Sequence, residues 1–207
     1  MRKYKHVRVL GITGGVGAGK STVLSYLEKR YGAKVILCDD VARMLQEPGK
    51  ACYEPMKELL GEDVLRMDGS FDRKLLAERV FADGEMLKKL NGIVHPAVKK
   101  YVMDEIDEAD RAGTVSLMVV EAALLLEDHY DLLCDEIWYI YTENGARIRR
   151  LQESRGYSEE RIRHMMKSQK PDGFFREHCQ FVVDNSSDSV ENTYEQIDKG
   201  LKEHGFL

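Results

Sequence analysis

The sequence predicts an α/β protein built on a parallel sheet with helices on both faces. Two observations predict it. Five short apolar runs alternate with segments of helical periodicity, the pattern of strands buried on both sides. A glycine-rich stretch, five glycines in the nine residues from Gly11 to Gly19, separates the first apolar run from the first helix. The chain has 207 residues, 43% hydrophobic and 32% charged, which suits one domain or one domain with insertions. No apolar run approaches the roughly 18 residues that span a bilayer. The basic opening "MRKYKHVRVL" has too short an apolar run for a signal peptide, so the cytoplasm is the expected location, with no membrane partner. A formal net charge of −5 argues against general nucleic-acid binding and toward small-molecule partners. The four cysteines form no CxxC pair and the six histidines are scattered, so neither zinc nor a disulfide framework is expected.

Taken in order, Val7–Ile12 reads as a buried strand. Ser21–Tyr31 follows as a helix with Val23, Leu24, Leu27 and Tyr31 on one face and Gly32 as its stop. Ala33–Leu37 is a second strand, running to Asp39 and Asp40. Some 75 mostly helical residues come next. Asp72 caps "RKLLAERVF", a second run covers Met86–Val94 and reaches His95–Pro96, and a third carries Val98, Tyr101, Val102, Ile106 and Ala109 on one stripe. That is too much for a simple crossover, so an inserted helical subdomain is expected over about 48–113. Val115–Val120 is the third strand, Ile137–Tyr141 the fourth and Phe181–Asn185 the fifth. Between the last two, Ala146–Gln169 reads as two helices joined near Gly156, the second capped by Ser158. A final helix packs through Val190, Tyr194, Ile197 and Leu201.

The glycine-rich stretch explains itself chemically. Gly14-x-x-x-x-Gly19-Lys20-Ser21, with a strand before it and a helix after, is a complete phosphate-binding loop, which makes the expected fold P-loop NTPase-type. Glycine lets the loop curl so that successive backbone N–H groups converge on an anion, and the helix adds its own uncapped N–H groups. The expected nucleotide contacts are Gly14, Gly15, Gly17, Ala18, Gly19, Lys20, Ser21 and Thr22. Lys20 reaches the β- and γ-phosphates, and the Ser21 hydroxyl completes the shell of a Mg²⁺ ion. No NKxD motif speaks for a GTPase, and "DRAG" (Asp110–Gly113) precedes a strand instead of closing one, so it reads as a loop.

A small kinase also needs an acid near the loop and mobile arginines. Asp39 and Asp40 close the second strand and leave it in opposite directions, so one of them faces the cleft. Asp40 is expected to cap "VARMLQ", which makes Asp39 the base for the acceptor hydroxyl. Glu121, closing the third strand, either holds Mg²⁺ through water or caps the next turn. Six arginines lie between Arg147 and Arg163; such a run is usually a solvated face, but lids of phosphoryl-transfer enzymes use one or two this way. Arg150 and Arg155 are the favoured pair, in a lid over about 147–175.

Taken together these residues resemble the dephospho-CoA kinase family over nearly the whole chain. The resemblance is carried by "GITGGVGAGKST", "CDDVARMLQEPG", "DGSFDRKLLAERVFAD", "LNGIVHPAV", "EAALLLE", "RRLQESRGYSEERI...Q" and "FVVDNSS". It implies ATP-dependent phosphorylation of the ribose 3′-hydroxyl of dephospho-CoA with Mg²⁺, by a core (about 1–47, 114–146 and 176–207), a helical acceptor-binding insertion and a lid. It also implies that Asp39 is the acid/base, that His95 and Pro96 shape the acceptor pocket, and that Asn185 lies near the adenine. Leu37 stands where the family has a first aspartate, and Ala123 where it has a proline. A nucleoside monophosphate kinase, or another small-acceptor kinase of the same fold, is the enzymatic alternative; a non-catalytic ATP-binding regulatory module is the other. The expected partner is a small molecule, with the chain a monomer or a weak homo-oligomer.

Overall fold

Five strands form one sheet in the order β2-β3-β1-β4-β5: β1 Arg8–Thr13, β2 Lys34–Leu37, β3 Leu117–Glu121, β4 Glu136–Tyr141 and β5 Phe181–Asp184. The computed structural model describes residues 3–207, the side chain of Phe81 excepted. The pairs β1–β3, β1–β4 and β4–β5 are parallel, with Ile12 opposite Glu121 on one side and Trp138 on the other. Leu10, Ile12, Met118, Ile137, Trp138 and Ile140 are fully buried, as a sheet covered on both faces requires. Because β2 and β3 lie on one side of β1 and β4 and β5 on the other, the end of β1 is at the topological switch point where α/β sheets place ligands.

Nine α-helices are seen among the described residues: α1 Lys20–Tyr31, α2 Cys38–Leu45, α3 Tyr53–Leu60, α4 Arg73–Ala82, α5 Gly84–Ala112, α6 Asn144–Arg155, α7 Glu159–Lys167, α8 Asp172–His178 and α9 Val190–Glu203. Two compact units are distinguished, one comprising residues 1–36 and 106–207, the other Leu37–Glu105.

In the sheet-bearing unit, α1 ends at Gly32 in the left-handed conformation, and Ser158 caps α7 by accepting from Arg161 N–H. Asp110 belongs to the last turn of α5 and accepts from the backbone N–H of His6 (2.6 Å) and Val7 (3.1 Å), which corrects its reading as a loop residue. In the helical unit, Asp72 caps α4 through Lys74 N–H and Leu75 N–H, and the Arg79 fork holds Asp63 and the Leu60 carbonyl.

Two expectations for the helical residues need correction. The two runs on either side of His95–Pro96 are one helix, α5, with Pro96 inside it. Proline there removes one N–H rung, and the carbonyl its ring would crowd is that of Gly92. The apolar stripe Val94, Val98, Val102, Ile106 and Ala109 continues buried through the interruption, so packing carries the helix where propensity would end it. The second correction is that Asp40 does not cap α2. The helix begins at Cys38 directly after β2, its N-cap is Leu37 with no side-chain cap, and Asp39 and Asp40 both lie in its first turn. Strand alternation therefore does not separate the two aspartates; helical geometry does, turning them roughly 100° apart.

Candidate active site

The loop between β1 and α1 closes on itself through Ala18 N–H to Gly15 O (3.1 Å) and Thr22 N–H to Gly19 O (3.0 Å). Gly19 sits at the N-cap of α1 in the left-handed conformation (φ 82°, ψ 26°) with no side-chain cap, so the first-turn N–H groups keep the positive end of the helix for an anion. A side chain at Gly19 would be strained, and its Cβ would stand 2.3 Å from Asn185 Nδ2. A Cβ at Gly15 would stand 2.3 Å from Arg147 Nη2. Both glycines are demanded by neighbours brought from far along the chain.

Lys20 is oriented from two directions. Its Nζ donates to the Gly14 carbonyl at 2.7 Å and lies 3.4 Å from Glu121 Oε1. The two side chains are only 18% and 15% exposed, so the charge pair is weakly screened. Glu121 is thus paired with the lysine.

Beneath the loop, a buried polar cluster grips the Ala18 carbonyl. Asn185 Nδ2 donates to it at 2.8 Å, and the Thr142 hydroxyl stands 3.0 Å away. Asn185 Oδ1 in turn accepts from Thr193 Oγ1 at 2.8 Å, and Thr142, Asn185 and Thr193 are all buried. Asn185 therefore braces the loop from within the protein.

The arginines of α6 separate by position. Arg150 gives Nη1 to Asn185 O (2.9 Å) and Nη2 to Ser187 O (3.0 Å), and Nη1 would lie 3.7 Å from a Cβ at Gly19. Arg155, the last residue of the helix, is exposed near the Tyr157 ring. Arg147, not singled out from the sequence, lies on the loop itself, donating Nε–H to Val16 O at 2.9 Å. Burial pulls its pKa below the ordinary arginine value. Residues 147 and 150 are three apart and so share a helix face; that spacing was the available signal. Thr142 and Thr193 gave none.

A cavity of about 510 Å³ opens beside Gly15 and Arg147, walled by Tyr139, Tyr141 and Phe175 and edged by Lys167. Tyr139 stacks on Phe175 (centroids 4.7 Å apart), and burial first, then the charge of Asp172, pushes its phenol pKa up. Cationic groups and aromatic walls beside a phosphate loop suit an anionic ligand with a flat or apolar body.

Asp39, His95 and Pro96 belong to the helical unit. Asp39 is exposed in the first turn of α2; its neighbour Asp40 is paired with Arg43 at 2.8 Å. His95 is half-buried and Pro96 exposed, in mid-α5.

Among the described residues, no group of three or more His, Cys, Asp or Glu is placed to hold a metal, and the four cysteines form no disulfide. The exposed Ser21 hydroxyl, at the second position of α1, is a hard oxygen donor of the kind Mg²⁺ accepts when phosphates and water supply the rest. No helix among the described residues is long and apolar enough to cross a membrane.

A family model described as dephospho-CoA kinase matches residues 8–191. Among curated proteins, the dephospho-CoA kinase of Shouchella clausii is 34% identical over 188 residues, 91% of this chain and 94% of that protein. That of Corynebacterium diphtheriae is 37% identical over 180 residues, 87% and 89% of the respective chains. Among solved structures, TT1252 from Thermus thermophilus aligns with a TM-score of 0.81 at 29% identity, covering 97% of this chain and 98% of that one. A shikimate kinase from Acinetobacter baumannii, in complex with shikimate, shares the fold at a TM-score of 0.52 and 15% identity, over 97% and 96% of the two chains.

Proposed function

The chain belongs to the dephospho-CoA kinase family, and from that premise we propose that it transfers the γ-phosphoryl group of ATP to the ribose 3′-hydroxyl of dephospho-CoA, giving coenzyme A and ADP. The observation that carries the reading is the Lys20 ammonium, fixed between the Gly14 carbonyl and Glu121 at the mouth of an uncapped helix. Such a cation follows the β- and γ-phosphates while the loop N–H groups hold them.

In the transfer, the acceptor oxygen forms a bond to the γ-phosphorus. The bond from that phosphorus to the β–γ bridging oxygen breaks, and its electron pair leaves on ADP. The hydroxyl proton goes to the Asp39 carboxylate. Gly14, Gly15, Gly17, Ala18 and Gly19 shape the nest, and Ser21 and Thr22 follow Lys20 at its helical side. Asn185 and Thr142 keep the nest in shape when it is loaded. Ser21 would hold Mg²⁺, which when bound neutralises phosphate charge. Arg150 and Arg155 belong to a lid over about 147–175, and water excluded by that lid cannot compete with the acceptor. His95 and Pro96 shape the acceptor pocket in the helical insertion of about 48–113, and Glu121, paired with Lys20, contributes to substrate binding. The enzyme works in the cytoplasm as a monomer or weak homo-oligomer.

A coupled ADP-release assay tests this. Release that requires dephospho-CoA, and is not supported by AMP, CMP or shikimate, is the expected result. Release with AMP or CMP instead would make the protein a nucleoside monophosphate kinase, and none with any acceptor would leave a regulatory ATP-binding module.

A further inference from the structure

The peptide group of Val16, at the tip of the phosphate loop, is held by side chains on both of its polar atoms. Its carbonyl accepts from Arg147 Nε at 2.9 Å, and its N–H donates to Gln169 Oε1 at 3.2 Å. The same Gln169 oxygen accepts from Arg147 Nη2 at 2.8 Å. Three hydrogen bonds thus close a ring through Val16, Arg147 and Gln169. An amide oxygen has two lone pairs, and both are engaged here. The third guanidinium nitrogen, Nη1, donates no hydrogen bond among the described residues, and Arg147 lines the cavity beside Gly15.

We propose that Gln169 is a positioning residue for phosphoryl transfer, fixing the Arg147 guanidinium at the tip of the phosphate loop, where it offsets charge on the transferred group. This rests on the kinase reading given above. Arg147 enters from α6, whereas Gln169 lies two residues beyond the end of α7, so the ring ties both ends of the α6–α7 pair to the loop. A guanidinium held through Nε and Nη2 has its plane fixed and cannot swing as a lysine would. The acceptor chosen for it is informative. A carboxylate at position 169 would bind Arg147 more strongly, but it would cancel the arginine's charge and repel a triphosphate. An amide oxygen orients the cation and leaves its charge for the ligand.

The test is a kinetic cycle on the full chain, with ADP release measured while dephospho-CoA and ATP are each varied. Gln169→Ala should lower kcat about tenfold, short of the roughly hundredfold that misplacing a catalytic group can cost, and move the KM for dephospho-CoA less than twofold. In the Arg147→Ala background the same change should alter kcat less than twofold, because the residue to be positioned is gone. Gln169→Glu, nearly the same shape, should raise the KM for ATP and lower kcat, since the added charge opposes both. Wild-type kcat in Gln169→Ala, an equal loss with and without Arg147, or a Gln169→Glu enzyme like wild type would each overturn the proposal. If Gln169→Ala fails to fold, Gln169→Glu decides alone. A wild-type chain inactive on dephospho-CoA would instead defeat the functional reading, so the two failures are told apart.

Discussion

Lys20 and the aspartates of α2 carry the predictions at the scale of single residues. Lys20→Ala should leave the fold intact, because it removes charge compensation and no core packing, while turnover falls roughly 10²–10³-fold; circular dichroism with the ADP-release assay checks both halves. Asp39→Asn keeps the size of the side chain but cannot take the hydroxyl proton, so kcat should fall strongly with ATP binding nearly unchanged. Asp40→Asn should be mild, since it loses only an exposed pair with Arg43. Stopped-flow and equilibrium ATP binding on the two variants separate these outcomes, and reversed phenotypes would move the base from Asp39 to Asp40. Lys20 is plain in the sequence because the phosphate loop is a contiguous string. Glu121 as its partner is not, because the pairing exists only once β3 lies beside β1.

The pairing of α1 with α9 makes a prediction at the scale of elements. Tyr26 and Tyr31 of α1 both donate to Asp198 Oδ1 of α9, at 2.8 and 2.7 Å, and Tyr26 stacks on Tyr194 at 3.8 Å. Burial first, then the hydrogen bond to Asp198, pushes the Tyr31 phenol up to about 12. An unfolded chain ionises tyrosine near 10. Between pH 10 and 12 the unfolded state therefore sheds a proton that the folded state keeps, and stability, full below pH 10, falls as pH rises. Urea midpoints should drop across that window, with a shallower slope in Tyr31→Phe. The proposed lid gives the α6–α7 pair a prediction of its own. The proposed lid role of Arg155 predicts that Arg155→Lys, which loses the planar fork, lowers kcat more than tenfold, corresponding to about 1.4 kcal/mol. Equal kcat at saturating substrate would mark Arg155 as a solvent-facing charge. Most elements follow from local spacing: Asp72 and Ser158 cap the helices expected of them. The continuity of α5 through Pro96 does not, because buried valines on either side outweigh a local breaker.

For the whole molecule, ligand linkage should raise stability when ATP and Mg²⁺ bind. At a hundredfold excess over Kd the gain is about 2.7 kcal/mol, or on the order of 5–10 °C in melting temperature for a chain this size. Scanning fluorimetry should show that rise in the wild type and lose most of it in Lys20→Ala; an equal shift in both would remove Lys20 from nucleotide binding. The chain itself determines its strands, most of its helices, its phosphate loop and its family, because hydrophobic period and motif spacing are properties of neighbouring residues. The tertiary structure alone decides which polar groups meet. Val16 finds Gln169 153 positions away and Arg147 131 away, and Ala18 finds Asn185 167 away. Those partners are set by the strand order that puts β4 beside β1 and β5 beside β4. A hydrogen bond acts over about 3 Å and leaves no periodic trace in the chain, so it becomes legible only after the sheet has assembled.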